Sequence, residues 1–94
     1  MTSRQADARS LATLDAALST NEGRIALFRQ LAAYEEAEDF ETWCQRWRHD
    51  PKDPAVNAFY SNIHNTYMVA WKELGSDLFW RYMAFGHSGL RRST

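Results

Sequence analysis

The chain has one cysteine, two prolines, four glycines and almost no net charge. Each scarcity removes a class of protein. A lone cysteine, Cys44, permits no internal disulfide, so packing alone must hold the fold. Uninterrupted apolar runs are only a few residues long, against the ~20 that a membrane-spanning helix needs. The first residues, Met1 to Asp7, carry no apolar core of a secretory signal, so a cytoplasmic protein is the expectation. Eleven basic against twelve acidic residues leave a formal charge of -1. Bulk charge therefore argues for neither nucleic acid nor a membrane surface as partner.

What is present is helix-forming and aromatic. Ninety-four residues allow a single domain with one modest core. Thirteen alanines, with Leu, Glu, Gln and Arg, favour helix, and no segment alternates with the period of a strand. The prediction is an all-α, compact single-domain bundle of four or five helices. Arginine outnumbers lysine nine to two, and aromatic residues make up 14% of the chain, four of them tryptophans. Arg, Trp and Tyr are the types that concentrate binding energy at protein interfaces, although a small core also uses large rings to bury area.

The first helix is expected over Ser3–Leu18, on a thin stripe of Leu11, Leu14 and Leu18 that predicts weak packing for residues 1–20. Ser19 and Glu22 read as a capping box for a second helix to about Ala37. The stripe Phe40–Trp43–Cys44–Trp47 lies roughly 100–140° out of phase with Leu27–Phe28–Leu31, at about 100° per residue. A break near Glu38–Asp39 follows, with Asp39 as the next N-cap. The two prolines of His49-Asp50-Pro51-Lys52-Asp53-Pro54 mark a loop, and Asp53-Pro54 opens a fourth helix to about Leu74. Its predicted buried face is Val56, Phe59, Tyr60, Ile63, Tyr67, Ala70, Trp71 and Leu74. Gly75 ends it, Ser76 caps a short fifth helix to about Phe85, and residues 86–94 read as a flexible basic tail. The third, fourth and fifth helices should build the core.

No pattern of catalysis or metal binding is found. Cys44 and His49 are five apart, off a common helix face, and His64 and His87 are remote from both, so no metal or cofactor is expected. Cys44 reads as a small core hydrophobe, and His64 as an edge histidine satisfied by its neighbours. A non-enzymatic protein is the expectation.

Two candidate contact surfaces remain. Glu35, Glu36, Glu38, Asp39 and Glu41 place five carboxylates in seven residues. They read either as a solvated turn or as an acidic patch that docks a basic groove. In the fifth helix, Leu78, Tyr82 and Phe85 share the predicted core face. Trp80, Met83 and Arg81 then form an exposed apolar patch, a contact for a partner or a second copy in a homodimer, unless other parts of the chain cover it.

The expected function is a protein–protein interaction module, an inhibitor or adaptor of a larger protein or nucleoprotein complex. Short phage-encoded inhibitors, anti-CRISPR proteins among them, are similar in size and character, with no shared motif. The second reading is a nucleic-acid-binding regulator using Arg46, Arg48, Arg91 and Arg92. The third is a small enzyme or ligand carrier with a pocket near His64, Tyr67 and Trp71.

Overall fold

The computed structural model describes residues 3–92, and the side chains of residues 8–89. Among these residues there are five helices and no strand: α1 (Ser3–Leu18), α2 (Asn21–Ala37), α3 (Phe40–Trp47), α4 (Pro54–Leu74) and α5 (Ser76–Arg92). None is long and apolar enough to cross a membrane. The extents are 37 × 33 × 21 Å. The smallest is about two helix diameters, so the helices lie essentially two layers deep.

The joints follow from capping chemistry. Thr20, one residue later than the predicted cap, accepts the Gly23 N–H on Oγ1 at 2.9 Å, while Ser19 turns its hydroxyl back to the Ala16 carbonyl. The break between α2 and α3 falls where the stripes change phase. Glu38 has φ 67° and ψ -43°, and the Asp39 N–H reaches the Ala37 carbonyl at 2.7 Å. This is the rarer and more strained form of γ-turn. Asp39 then caps α3 by accepting the Thr42 N–H at 2.7 Å. At the far end of α3, Arg48 is left-handed and the His49 N–H bonds the Cys44 carbonyl, the 6→1 bond of a Schellman motif. Asp53 accepts the Ala55 N–H ahead of Pro54. Gly75, at φ 82° and ψ 158°, occupies a region essentially reserved for glycine, and its carbonyl receives the first turn of α5 through Phe79 N–H.

The core is not centred on the last three helices. α2 is the hub, touching every other helix and packing most extensively on α5. It buries Leu27, Phe28, Leu31, Ala32, Ala33 and Ala37. The small residues among them allow close approach, which a count of large apolar side chains undervalues. One aromatic cluster, Tyr34, Phe40, Trp43 and Tyr60, ties α2, α3 and α4 together. A second, Phe28, Tyr67 and Phe79, ties α2, α4 and α5.

Three further expectations are corrected. In α4, Thr66 is buried while Phe59 and Trp71 are exposed. Thr66 is tolerated inside because its hydroxyl donates to the Asn62 carbonyl at 2.7 Å. In α5 the buried stripe is Phe79, Met83 and Gly86, whereas Phe85 is 71% exposed. The flexible tail predicted from residue 86 is instead helix as far as Arg92, with Ser93 and Thr94 outside the described residues. Gly86 contributes no apolar side chain, so the apolar stripe read from the sequence stops before it.

α1, expected to pack weakly, lies against α4 and α2 and buries Leu14 and Ser10. The Ser10 hydroxyl has no hydrogen-bond partner among the described residues. A buried unpaired hydroxyl carries its desolvation cost with no return. Ser10→Ala should therefore stabilise the fold by about 1 kcal/mol, raising Tm by roughly 4–8 °C in thermal circular dichroism. A lower Tm would show that the hydroxyl is paired.

Candidate functional site

Of the five clustered carboxylates, Glu36, Glu38, Asp39 and Glu41 lie exposed and Glu35 is half-buried, and three of the five have partners within the fold. At the seam of α2, α4 and α5, His87 sets Nε2 3.0 Å from Glu35 Oε1 and Nδ1 2.9 Å from Glu36 Oε1. Both contacts are hydrogen bonds only when both ring nitrogens carry protons. Tyr67 donates its hydroxyl to the other oxygen of Glu35 at 2.5 Å. Two of the five carboxylates thus latch α5 and α4 onto α2. A third, Asp39, is taken up in capping α3, and hydrogen bonds from Thr42 hold its carboxyl below the usual carboxylate range. Of the five, only Glu38 and Glu41 are left exposed without such a partner among the described residues. His87, assigned to the tail by sequence, is the residue that reorganises the cluster.

The second predicted surface is divided. Trp80 is 48% exposed and Arg81 is exposed, but Met83 is 1% exposed and belongs to the core. Trp80 rests edge-on against the neighbouring Phe79 ring, 5.0 Å between centroids. His64, Tyr67 and Trp71 do not converge as the ligand-carrier reading requires. His64 Nδ1 pairs with the Tyr34 hydroxyl at 2.5 Å, Tyr67 faces Glu35, and Trp71 lies in a depression with Leu11 and Met68 between α1 and α4.

These polar contacts have a consequence at high pH. Burial raises the pKa of Tyr34. Burial first, then the charges of nearby Tyr34, Asp39 and Cys44, raises that of Tyr60. Burial, followed by the hydrogen bond to Glu35 and its charge, raises that of Tyr67 furthest. A raised folded-state pKa favours the neutral phenol in the fold. Its contribution is complete below the unfolded value of about 10 and is lost as pH rises toward the folded value. Stability should then fall by up to about 1.4 kcal/mol per pH unit for each such group. Absorbance at 295 nm should show these tyrosines ionising late and together with loss of the helical circular dichroism. Tyr67→Phe should flatten the slope by one group. Normal tyrosine titration in an intact helical protein would contradict this.

Two concavities lie elsewhere, to either side of α2. Between α2, α3 and α4, a groove of about 370 Å³ is lined by Trp43, Trp47, His49, Phe59, Ile63 and Arg29, among others. Trp43 forms its buried wall, stacked on His49 at 4.8 Å and Phe59 at 5.9 Å, while Trp47 and Phe59 are 43% and 44% exposed. Between α2 and α5, a cavity of about 670 Å³ is lined by Ile25, Phe28, Tyr82, Phe85, Arg24 and Arg29, among others. Arg29 lines both, so the two depressions are neighbours. Among the described residues, no carboxylate lines either one.

Sequence reasoning missed this face. Ile25 and Arg29 look like ordinary surface positions of α2, and Phe85 was assigned to the core. The signal in the sequence is Gly86: it is the α5 residue that meets the Phe28 backbone, which leaves Phe85 at the exposed rim of the cavity between α2 and α5. Comparisons of the chain with protein-family models, with curated proteins and with solved structures find no match.

Proposed function

We propose that this chain is a non-enzymatic protein-interaction module, an inhibitor or adaptor of a larger macromolecular complex, and that it binds through the face around Arg29. The observation that carries this reading is the pairing of two apolar depressions with large rings left exposed at their rims, Trp47, Phe59 and Phe85. A fold two helices deep cannot enclose so many rings. Contiguous apolar area rimmed by polar groups is what partner sites present, and Trp and Arg anchors in pockets dominate their energetics. The polar groups that sequence offered for chemistry are instead occupied in holding helices together, as the Tyr67–Glu35–His87 seam illustrates.

A second reading draws on Arg46 and Arg48, exposed beside Trp47. Rings flanked by arginine are also the elements of a single-strand stacking platform. The side chains of Arg91 and Arg92, the other cations of that reading, lie outside the described residues.

The test is a tagged pull-down from lysate of the native cells, repeated with nuclease and with surface variants. A stoichiometric protein that resists nuclease should be lost with Trp47→Ala or Phe85→Ser and retained with Trp80→Ala. Removal of an anchoring ring should weaken the purified complex by at least about 2 kcal/mol, roughly 30-fold in Kd. Loss with Trp80→Ala alone would move the contact to the outer face of α5. Loss with nuclease would favour the second reading.

A further inference from the structure

We infer that the cavity between α2 and α5 receives an acidic amphipathic peptide segment of the partner, its apolar side chains seated against Ile25, Phe28 and Phe85 and its carboxylates on Arg24 and Arg29. This rests on the reading of the face as a protein contact and specifies the partner's chemistry.

Charge is the first argument. The chain carries a net charge of -1, yet among the described residues this cavity holds two arginines and no acid. The ion pairs among those residues are those of His87 with Glu35 and Glu36, and neither Arg24 nor Arg29 has a described carboxylate within ion-pair distance. Arg24 is nonetheless held in place: its guanidinium bonds Asn21 Oδ1 and lies 5.5 Å from the centre of the Tyr82 ring. Arg29 lies over Gly89, where its Nε would be 2.8 Å from an added Cβ. Two guanidinium groups with no described carboxylate beside them, one of them held by Asn21 and Tyr82, are complementary at the edge of an apolar floor to carboxylates flanking apolar anchors.

Shape is the second argument. About 670 Å³ falls within the range of roughly 300–1,000 Å³ typical of sites that bury most of a ligand. A trough between two packed helices suits an amphipathic segment laid along it. Arg24 and Arg29 are separated by about 7.5 Å of helix rise. The matching acids on a bound helix then stand roughly one to two turns apart, with the apolar anchors between them. A nucleic acid is the poorer fit, because it needs a run of cations along its backbone, and this trough offers two beside aliphatic Ile25.

The experiment is selection from a displayed library of random 16-residue peptides on the immobilised full chain, with Phe85→Ser protein for counter-selection. Enriched peptides are then synthesised and titrated by fluorescence anisotropy. The expected result is enrichment of Asp or Glu flanking Leu, Ile or Phe at helical spacing. Affinity should fall tenfold or more when the acids become Asn or Gln, or when the protein carries Arg24→Gln with Arg29→Gln. Arg24→Lys with Arg29→Lys should recover part of the loss, and circular dichroism confirms that each variant is folded. Enriched peptides without acids, or peptides indifferent to the arginine variants, overturn the inference and leave the interaction reading standing. No enrichment on this face overturns the inference, and the pull-down then decides the broader reading independently.

Discussion

Replacing Gly86 with alanine should destabilise the protein by about 2–3 kcal/mol, although alanine is the better helix former by about 1 kcal/mol. A Cβ at Gly86 would stand 2.2 Å from the Phe28 carbonyl oxygen and 2.8 Å from its carbon. Both are backbone atoms of the hub helix, so no side chain can swing aside. α5 must move away from α2, and Ala32, also in contact at this crossing, loses its packing. The adjacent His87 would be drawn off Glu35 and Glu36 by the same movement. In thermal circular dichroism the expected fall in Tm is roughly 10–20 °C for a chain of this length. Gly89→Ala is the control, since the added methyl would meet only the flexible Arg29 side chain. Its Tm should change little. A Gly86→Ala protein as stable as the parent would mean that α2 and α5 do not approach so closely.

Trp43→Ala should be more damaging, at about 3–5 kcal/mol. Trp43 is almost fully buried and its ring touches those of Phe40, His49, Phe59 and Tyr60. α3 has only eight residues, too few to persist without tertiary contacts. Its two buried side chains are Trp43 and Cys44. Without Trp43, the wall of the groove and the anchor of α3 are lost together. Urea denaturation should show a lower midpoint, and the thiol of Cys44 supplies a local readout. In the folded parent that thiol is buried, and burial, followed by the charges of Asp50 and Glu41, raises its pKa, so it should resist disulfide reagents. In Trp43→Ala it should react. An inert Cys44 in that variant would show that α3 stays docked by other means.

Much of the helical framework is legible from residues close together in the chain. Asp53-Pro54 starts α4 and Gly75 ends it, because cap geometry is decided within a few residues. The break at Glu38 is legible too, since the phase of Leu27–Phe28–Leu31 cannot continue into Trp43–Cys44 on one straight helix. Errors arise where a residue's value depends on a distant neighbour. Met83 and Phe85 are two apart on α5 and similarly apolar, yet one is core and the other surface. α2 decides between them, and its approach is set by Gly86, Ala32 and Ala33, residues with little or no side chain to signal it. The acidic run shows the same dependence, because Glu35, Glu36 and Asp39 are engaged by His87, Tyr67 and the cap of α3 while Glu38 and Glu41 stay exposed.

By itself, then, the amino-acid sequence determines an all-helical chain, where most of its helices begin and end, and the burial of Cys44. Capping and apolar periodicity operate over one or two turns, and their record is local. The hub role of α2, the latch between His87 and its two glutamates, and the arginine-bearing face that unites two apolar depressions are decided only by the tertiary structure. Each depends on which helices approach closely, and small residues, packing and ring contacts between segments tens of residues apart make that selection.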